Sequence, residues 1–311
     1  MADEPAILLC GHGSRDIEAV SEFQNLAKLI TKRLPNRFVD HGFLEFARPT
    51  IGEKLTQIRD SGISRVEALP GMLFAAGHAK NDIPSVLNNF IADNDGFEIA
   101  YGRELAIHPK LIAASRARIE NAEQNCSEFI SREDTLLLVV GRGTSDPDAN
   151  SNISKVTRML WEGMNFGWAE VAYTGVTYPL IRPALEKVVK LGFNRIMVFP
   201  YFLFTGVLVK RIYDAVNEAR ENYKDINFSV AKYLGDHPLV VESFISRLDE
   251  ITLGENVMNC QLCKYREQII GYEHDHGAAQ VGHHHHVEGI GTESEENHHS
   301  HNHNHDKHNE E

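Results

Sequence analysis

His12 stands between two glycines in Ile7-Leu8-Leu9-Cys10-Gly11-His12-Gly13-Ser14-Arg15. A second histidine, His78, follows another glycine in Gly77-His78-Ala79-Lys80-Asn81-Asp82, and Glu45 lies in Phe43-Leu44-Glu45-Phe46. Neutral imidazole is a good ligand for divalent Co, Ni, Fe or Zn, and near neutral pH it is also a competent base. Two histidines and one carboxylate therefore suit an open metal site. Their separation along the chain is long, so the chemistry depends on a fold that brings them together.

The run Ile7–Cys10 is apolar and stops at Gly11, as a buried strand does. Further strands are expected at 39–46, 65–69 and 97–101, with helices at 17–34, 50–61, 82–92 and 110–125. This βαβα order predicts a parallel sheet with helices on both faces. In such sheets ligands bind beyond the carboxyl ends of the strands. His12 and Glu45 fall at strand ends and His78 shortly after one, so all three are placed at one edge.

The pattern then repeats. Leu136-Leu137-Leu138-Val139-Val140-Gly141-Arg142-Gly143 answers the opening stretch 130 residues on, Pro179 answers Pro49 and Pro200 answers Pro70. Gly206 answers Gly77, and His237-Pro238 answers His108-Pro109, at an offset of 129. A nearly constant offset marks a tandem duplication, with a ligand cleft expected between two similar lobes. Arg142 then stands in the second copy where His12 stands in the first, and Val207 where His78 stands. The scaffold does without both histidines, which assigns them to chemistry. His108 and His237 occur in both copies at helix entrances and read as structural.

Hydrophobic residues make up 42% of the 311, enough for a sizeable core, and no stretch of 18 apolar residues appears. No membrane partner and no targeting segment are expected, and the expected address is cytoplasmic. The net charge is −13, of which residues 272–311 supply −8, nine acids standing against Lys307 alone. A weakly acidic body offers nucleic acid no basic surface. Four cysteines are too few for a disulfide framework.

Gly11-His12-Gly13-Ser14-Arg15, then Phe43-Leu44-Glu45, then Leu69-Pro70-Gly71-Met72-Leu73-Phe74-Ala75-Ala76-Gly77-His78-Ala79-Lys80-Asn81-Asp82-Ile83-Pro84 resembles the CbiX sirohydrochlorin chelatases in their long, two-copy form. The resemblance spans residues 5 to about 252 and continues into Met258-Asn259-Cys260-Gln261-Leu262-Cys263 and the histidine-rich tail, features of the long cobaltochelatases. It implies an α/β protein of two tandem chelatase-like lobes, 5–126 and 134–253, a Cys-x-x-Cys segment at 254–271 and a disordered His-rich acidic tail at 272–311. It further implies a metal chelatase that inserts Co²⁺ into sirohydrochlorin on the way to cobalamin, with His12, His78 and Glu45 holding the metal and the two imidazoles accepting protons. The eight carboxylates of sirohydrochlorin call for cationic and hydroxyl partners, for which Ser14, Arg15, Lys80 and Arg142 are the candidates. Insertion of Fe²⁺ or Ni²⁺ by the same architecture, and a cobalt or nickel storage protein or metallochaperone, stand as alternatives.

Cys260 and Cys263 alone fit a redox pair, half a zinc site or half an iron–sulfur site. The resemblance points to an iron–sulfur cluster, and two thiolates would need a second chain, which suggests a homodimer. Twelve of the 17 histidines lie between His274 and His308 among Gly, Asn, Ser and acids. That composition predicts a disordered metal reservoir.

Overall fold

The computed structural model describes residues 4–256. The first half runs β1 (Ala6–Gly11), α1 (Ile17–Arg33), β2 (Val39–Phe43), α2 (Ile51–Asp60), β3 (Arg65–Pro70), a π-helical turn (His78–Asp82) leading into α3 (Ile83–Ala92), β4 (Glu98–Tyr101) and α4 (Pro109–Gln124). The second runs β5 (Thr135–Gly141), α5 (Pro147–Met164), β6 (Trp168–Tyr173), α6 (Ile181–Val188) with a short 3₁₀ turn, β7 (Arg195–Pro200), α7 (Val207–Asn222), β8 (Asn227–Val230) and α8 (Pro238–Leu253). Each half forms one all-parallel sheet, in the orders β2-β1-β3-β4 and β6-β5-β7-β8. Among the described residues no helix is long and apolar enough to cross a membrane.

Local chemistry explains the elements. Every residue of β1 is buried, as a central parallel strand covered on both faces must be. In α1, Phe23, Leu26, Ala27 and Ile30 recur at helical spacing and are buried, while Asp16 caps the start by accepting from the Glu18 amide. His108 and His237 each cap the helix they precede, their Nδ1 accepting from the Lys110 and Leu239 amides. The structural reading of this pair is therefore correct.

Two expectations need correction. The second strand stops at Phe43 rather than running to 46, because Phe46 takes a left-handed φ of 61° and the chain turns toward Pro49. The copies also keep their 130-residue offset beyond Gly77. The Lys80 amide bonds the Ala76 carbonyl as the Lys210 amide bonds that of Gly206, so His78 corresponds to Leu208 rather than Val207. By β4 and β8 the offset is 129, so the extra residue of the first copy falls in the stretch that begins with the π turn.

The lobes are not packed as separate bodies. One hydrophobic cluster contains Ile7 and Leu9 of β1, Leu137 and Val139 of β5, Leu111 of α4 and Phe244 of α8. The last helix of each half crosses over, α8 packing on α1 and β3 and α4 on α5 and β8. The crossing contacts are reciprocal: Arg247 donates to the Leu105 carbonyl and Arg118 to the Leu234 carbonyl. Paired exchanges of this kind are the signature of a two-fold interface, here built within one chain.

Candidate metal centre

Because β1 lies between β2 and β3, the loops that follow these three strands meet at one sheet edge. They bring His12, Glu45 and His78 together, with one ligating atom from each lying within 4.8 Å of the others. The two imidazoles meet edge to face, centroids 4.4 Å apart. Gly13 makes the approach possible: its φ is +93°, and a Cβ there would lie 1.7 Å from the Glu45 carbonyl oxygen. The Glu45 amide in turn donates to the His12 carbonyl, fixing one loop against the other.

The protons on both rings follow from their partners. His12 Nδ1 lies 2.9 Å from the Gly13 carbonyl oxygen, which only accepts, so Nδ1 carries the hydrogen and Nε2 presents its lone pair. His78 Nδ1 likewise donates to Asp82 Oδ2 at 2.7 Å, and Asp82 is wholly buried. A carboxylate behind a ligating histidine fixes its tautomer and raises its basicity. Asp82 was not singled out from the sequence, although its place four residues after His78 was a usable signal.

His12 Nε2 is 3.1 Å from Glu45 Oε1, a carboxylate 5% exposed. Two acceptors at that distance are brought together by a proton or a metal cation. Burial, then the neighbouring His78 and Arg142 charges, hold His12 down at about 4, so a proton is a poor occupant near neutral pH. The three groups could instead hold a divalent metal ion.

The other predicted residues separate into two groups. Ser14, Arg15 and Arg142 line a cleft of about 530 Å³ between the lobes, beside His12 and His78. Arg15 lies over the Phe46 ring, and the Ser14 oxygen accepts from the Asp16 amide. Phe23, Phe74, Tyr201 and Phe204 supply much of the apolar wall. Lys80 does not line this cleft. Its side chain is 1% exposed and its ammonium bonds Asp146 Oδ2 at 2.7 Å and Asp148 Oδ2 at 3.1 Å, so it is no partner for a ligand at the rim. Burial alone would lower its pKa; the two carboxylates outweigh that and hold it above the ordinary lysine value. Cys260, Cys263 and the histidine-rich tail lie outside the described residues.

The corresponding edge of the second lobe carries none of these three groups. Gly143 repeats the tight turn, with φ +82° and the Gly175 carbonyl 2.2 Å from a would-be Cβ, but Arg142, Gly175 and Leu208 stand at the positions of His12, Glu45 and His78.

Comparison with known proteins agrees with this architecture. A sirohydrochlorin cobaltochelatase of Priestia megaterium is 35% identical over 271 residues, covering 87% of this chain and 88% of that protein. A sirohydrochlorin ferrochelatase of the same organism is 28% identical over 232 residues, 75% of this chain and 85% of that one. The structure described as SirB from Bacillus subtilis with Fe³⁺ shares the fold with a TM-score of 0.72, at 24% identity, over 82% of this chain and 99% of that chain. The CbiX family profile matches residues 6–122 and 136–251, once in each lobe, and the chain belongs to the CbiX family.

Proposed function

We propose that this protein is a sirohydrochlorin cobaltochelatase, which inserts Co²⁺ into sirohydrochlorin with release of two protons, on the route to cobalamin. The observation that carries the reading is the trio of His12, Glu45 and His78, present in one lobe alone, with His12 and His78 facing the cleft between the two and Glu45 buried behind them. The cleft has aromatic walls for a flat macrocycle and two arginines, Arg15 and Arg142, for its carboxylates. Ser14 adds a hydroxyl at the same mouth.

In this reading Co²⁺ is a substrate held by the Nε2 atoms of His12 and His78, with Glu45 offsetting its charge. As the metal passes into the macrocycle, two pyrrole N–H bonds break and their electron pairs bind the ion. The imidazole lone pairs released by the metal accept the two protons. His12, with its depressed pKa, passes its proton on readily, which resets the site for another cation. Asp82 keeps His78 in the one tautomer that can do this.

Cobalt is placed ahead of iron and nickel because the 35%-identical relative is a cobaltochelatase, since ligand type alone does not select among these ions. The first lobe, 5–126, holds the metal and the second, 134–253, supplies Arg142 and the facing wall. Residues 257–311 belong to the proposal on sequence grounds: Cys260 and Cys263 contribute to an iron–sulfur cluster shared in a homodimer, and the histidine-rich tail buffers metal. A cytoplasmic setting fits the free thiols of Cys10 and Cys126.

Anaerobic absorbance of sirohydrochlorin mixed with the protein and Co²⁺, Fe²⁺ or Ni²⁺ in turn tests the reading. Conversion with Co²⁺ well above the metal-only background is expected. Metal binding without conversion would instead identify a storage protein or metallochaperone.

A further inference from the structure

The two lobes grip each other through matching lysines. Lys210 of α7 reaches across to Asp16 at 2.9 Å and Glu18 at 2.7 Å, at the start of α1. Lys80, its counterpart 130 residues earlier, reaches across to Asp146 and Asp148, at the start of α5. The chemistry is the same but the surroundings differ. Lys210 is half exposed, whereas the side chains of Lys80 and Asp146 are each 1% exposed. Burying such a pair costs desolvation that its attraction barely offsets, so buried pairs are poor sources of stability and better suited to fixing register. The exposed twin shows that the lobes are bridged without that cost.

What differs next to the two lysines is the backbone. Lys210 sits in ordinary α-helix, while Lys80 is the central residue of the π turn His78–Asp82, closed by the Ile83 amide on the His78 carbonyl. A π turn is a rare one-residue insertion in a helix, found frequently at functional sites. Side-chain contacts on several sides hold this one. Asp82 holds the His78 ring, the Tyr101 hydroxyl donates to the Ala79 carbonyl at 2.9 Å, and Lys80 is held by the second lobe.

We infer that Lys80 is a positioning residue for the metal ligand His78: clamped by Asp146 and Asp148, it fixes the π turn that aims the imidazole, so that the second lobe sets the geometry of the first lobe's metal site. This rests on the chelatase reading of the site. The second lobe, which has no metal ligands of its own at the corresponding edge, thereby takes part in metal handling through its carboxylates.

The test uses the full chain with Lys80→Met, Lys210→Met and the triple variant Lys80→Met/Asp146→Asn/Asp148→Asn, which leaves no uncompensated charge in the seam and retains a capping side chain at 146. Free Co²⁺ is set with a metal buffer so that the tail does not distort the titration. The readouts are the KM for Co²⁺, the KM for sirohydrochlorin, the Tm, and the visible ligand-field band of Co²⁺ taken as the difference from His78→Ala. Lys80→Met is expected to raise the KM for Co²⁺ about tenfold, in the range seen when outer partners of metal-binding histidines are lost. It should also shift the difference band and leave the KM for sirohydrochlorin within about twofold. Lys210→Met should move none of these. The triple variant should regain the wild-type Tm while keeping the weakened Co²⁺ response. If metal response returns together with Tm in the triple variant, or Lys210→Met behaves as Lys80→Met does, the inference is overturned. Failure of the wild type to convert sirohydrochlorin would sink the chelatase reading instead, and the difference band would still decide the role of Lys80.

Discussion

After β1 the first lobe holds His12 between Gly11 and Gly13; after β5 the second holds Arg142 between Gly141 and Gly143. The turns are alike down to the second glycine, whose positive φ and close carbonyl leave no room for a Cβ. Past β2 and β6 the chain takes a left-handed residue at Phe46 and Val176 alike, yet Glu45 is matched by Gly175. Past β3 and β7 the first lobe makes a π turn bearing His78 and the second runs directly into α7 with Leu208. The scaffold is thus repeated while the ligands are not. In a fold whose strand ends converge whatever the loops contain, chemistry is set by a few loop residues and is lost in one copy without harm to the other.

The comparison breaks most sharply if the first lobe's histidines prove dispensable. His12→Ala and His78→Ala should each lower the rate of Co²⁺ insertion more than ~100-fold, beyond the ~10–100-fold cost of losing an outer partner. Leu208→Ala, at the counterpart of His78, should leave the rate within about threefold in the same absorbance assay. Comparable losses at both positions would mean that the second lobe also does metal chemistry.

Asp82→Asn sharpens the account of how His78 is aimed. The amide retains the shape but no longer fixes the tautomer, and the KM for Co²⁺ should rise ~10–100-fold with little change in Tm. An unchanged metal titration would show that the π turn alone orients the ring.

Arg142→Ala asks what the second lobe contributes to substrate. Loss of one charge-assisted contact of ~1.5 kcal/mol raises the KM for sirohydrochlorin about tenfold, with the KM for Co²⁺ within about threefold. The reverse split would move Arg142 from the macrocycle to the metal.

The smallest effect is a pH dependence of stability. His12 titrates at about 4 in the folded protein, chiefly through burial, against ~6.5 in the unfolded chain. Between these values the unfolded state binds the extra proton, so His12 removes stability as the pH falls through that window. Chemical denaturation of wild type and His12→Gln should diverge from pH 7 to 4.5 by about 1–2 kcal/mol, allowing for the partial exposure of the ring. His108, also held down at about 4 by burial, contributes equally to both proteins and cancels. Parallel curves would mean that Glu45 keeps a proton on His12.

Much of this was legible in the sequence, and the limits have physical causes. Period and punctuation located the strands and helices, because β1 and β5 are buried on both faces and stop at glycine. The duplication picked out His12 and His78, since one copy lacks them. The strand order that joins their loops to that of Glu45 depends on long-range pairing that no local pattern encodes. The π turn was invisible for a related reason: an inserted residue inside a helix shifts the offset from 130 to 129 but does not reveal where. The error over Val207 came from there. Lys80 was misplaced because a charged side chain reads as solvated until its partners, 66 and 68 residues away, are known. The crossing of α4 and α8 was likewise hidden, since an apolar helix face shows that it is buried but not against which partner.

The claim that one lobe holds the metal is tested most directly by anomalous scattering at the cobalt edge from crystals soaked in Co²⁺. A peak bounded by His12 Nε2, His78 Nε2 and the Glu45 carboxylate, with none at the corresponding edge beside Arg142 and Leu208, is the expected result. A peak at the second lobe's edge, or metal bound only away from the cleft, would contradict it.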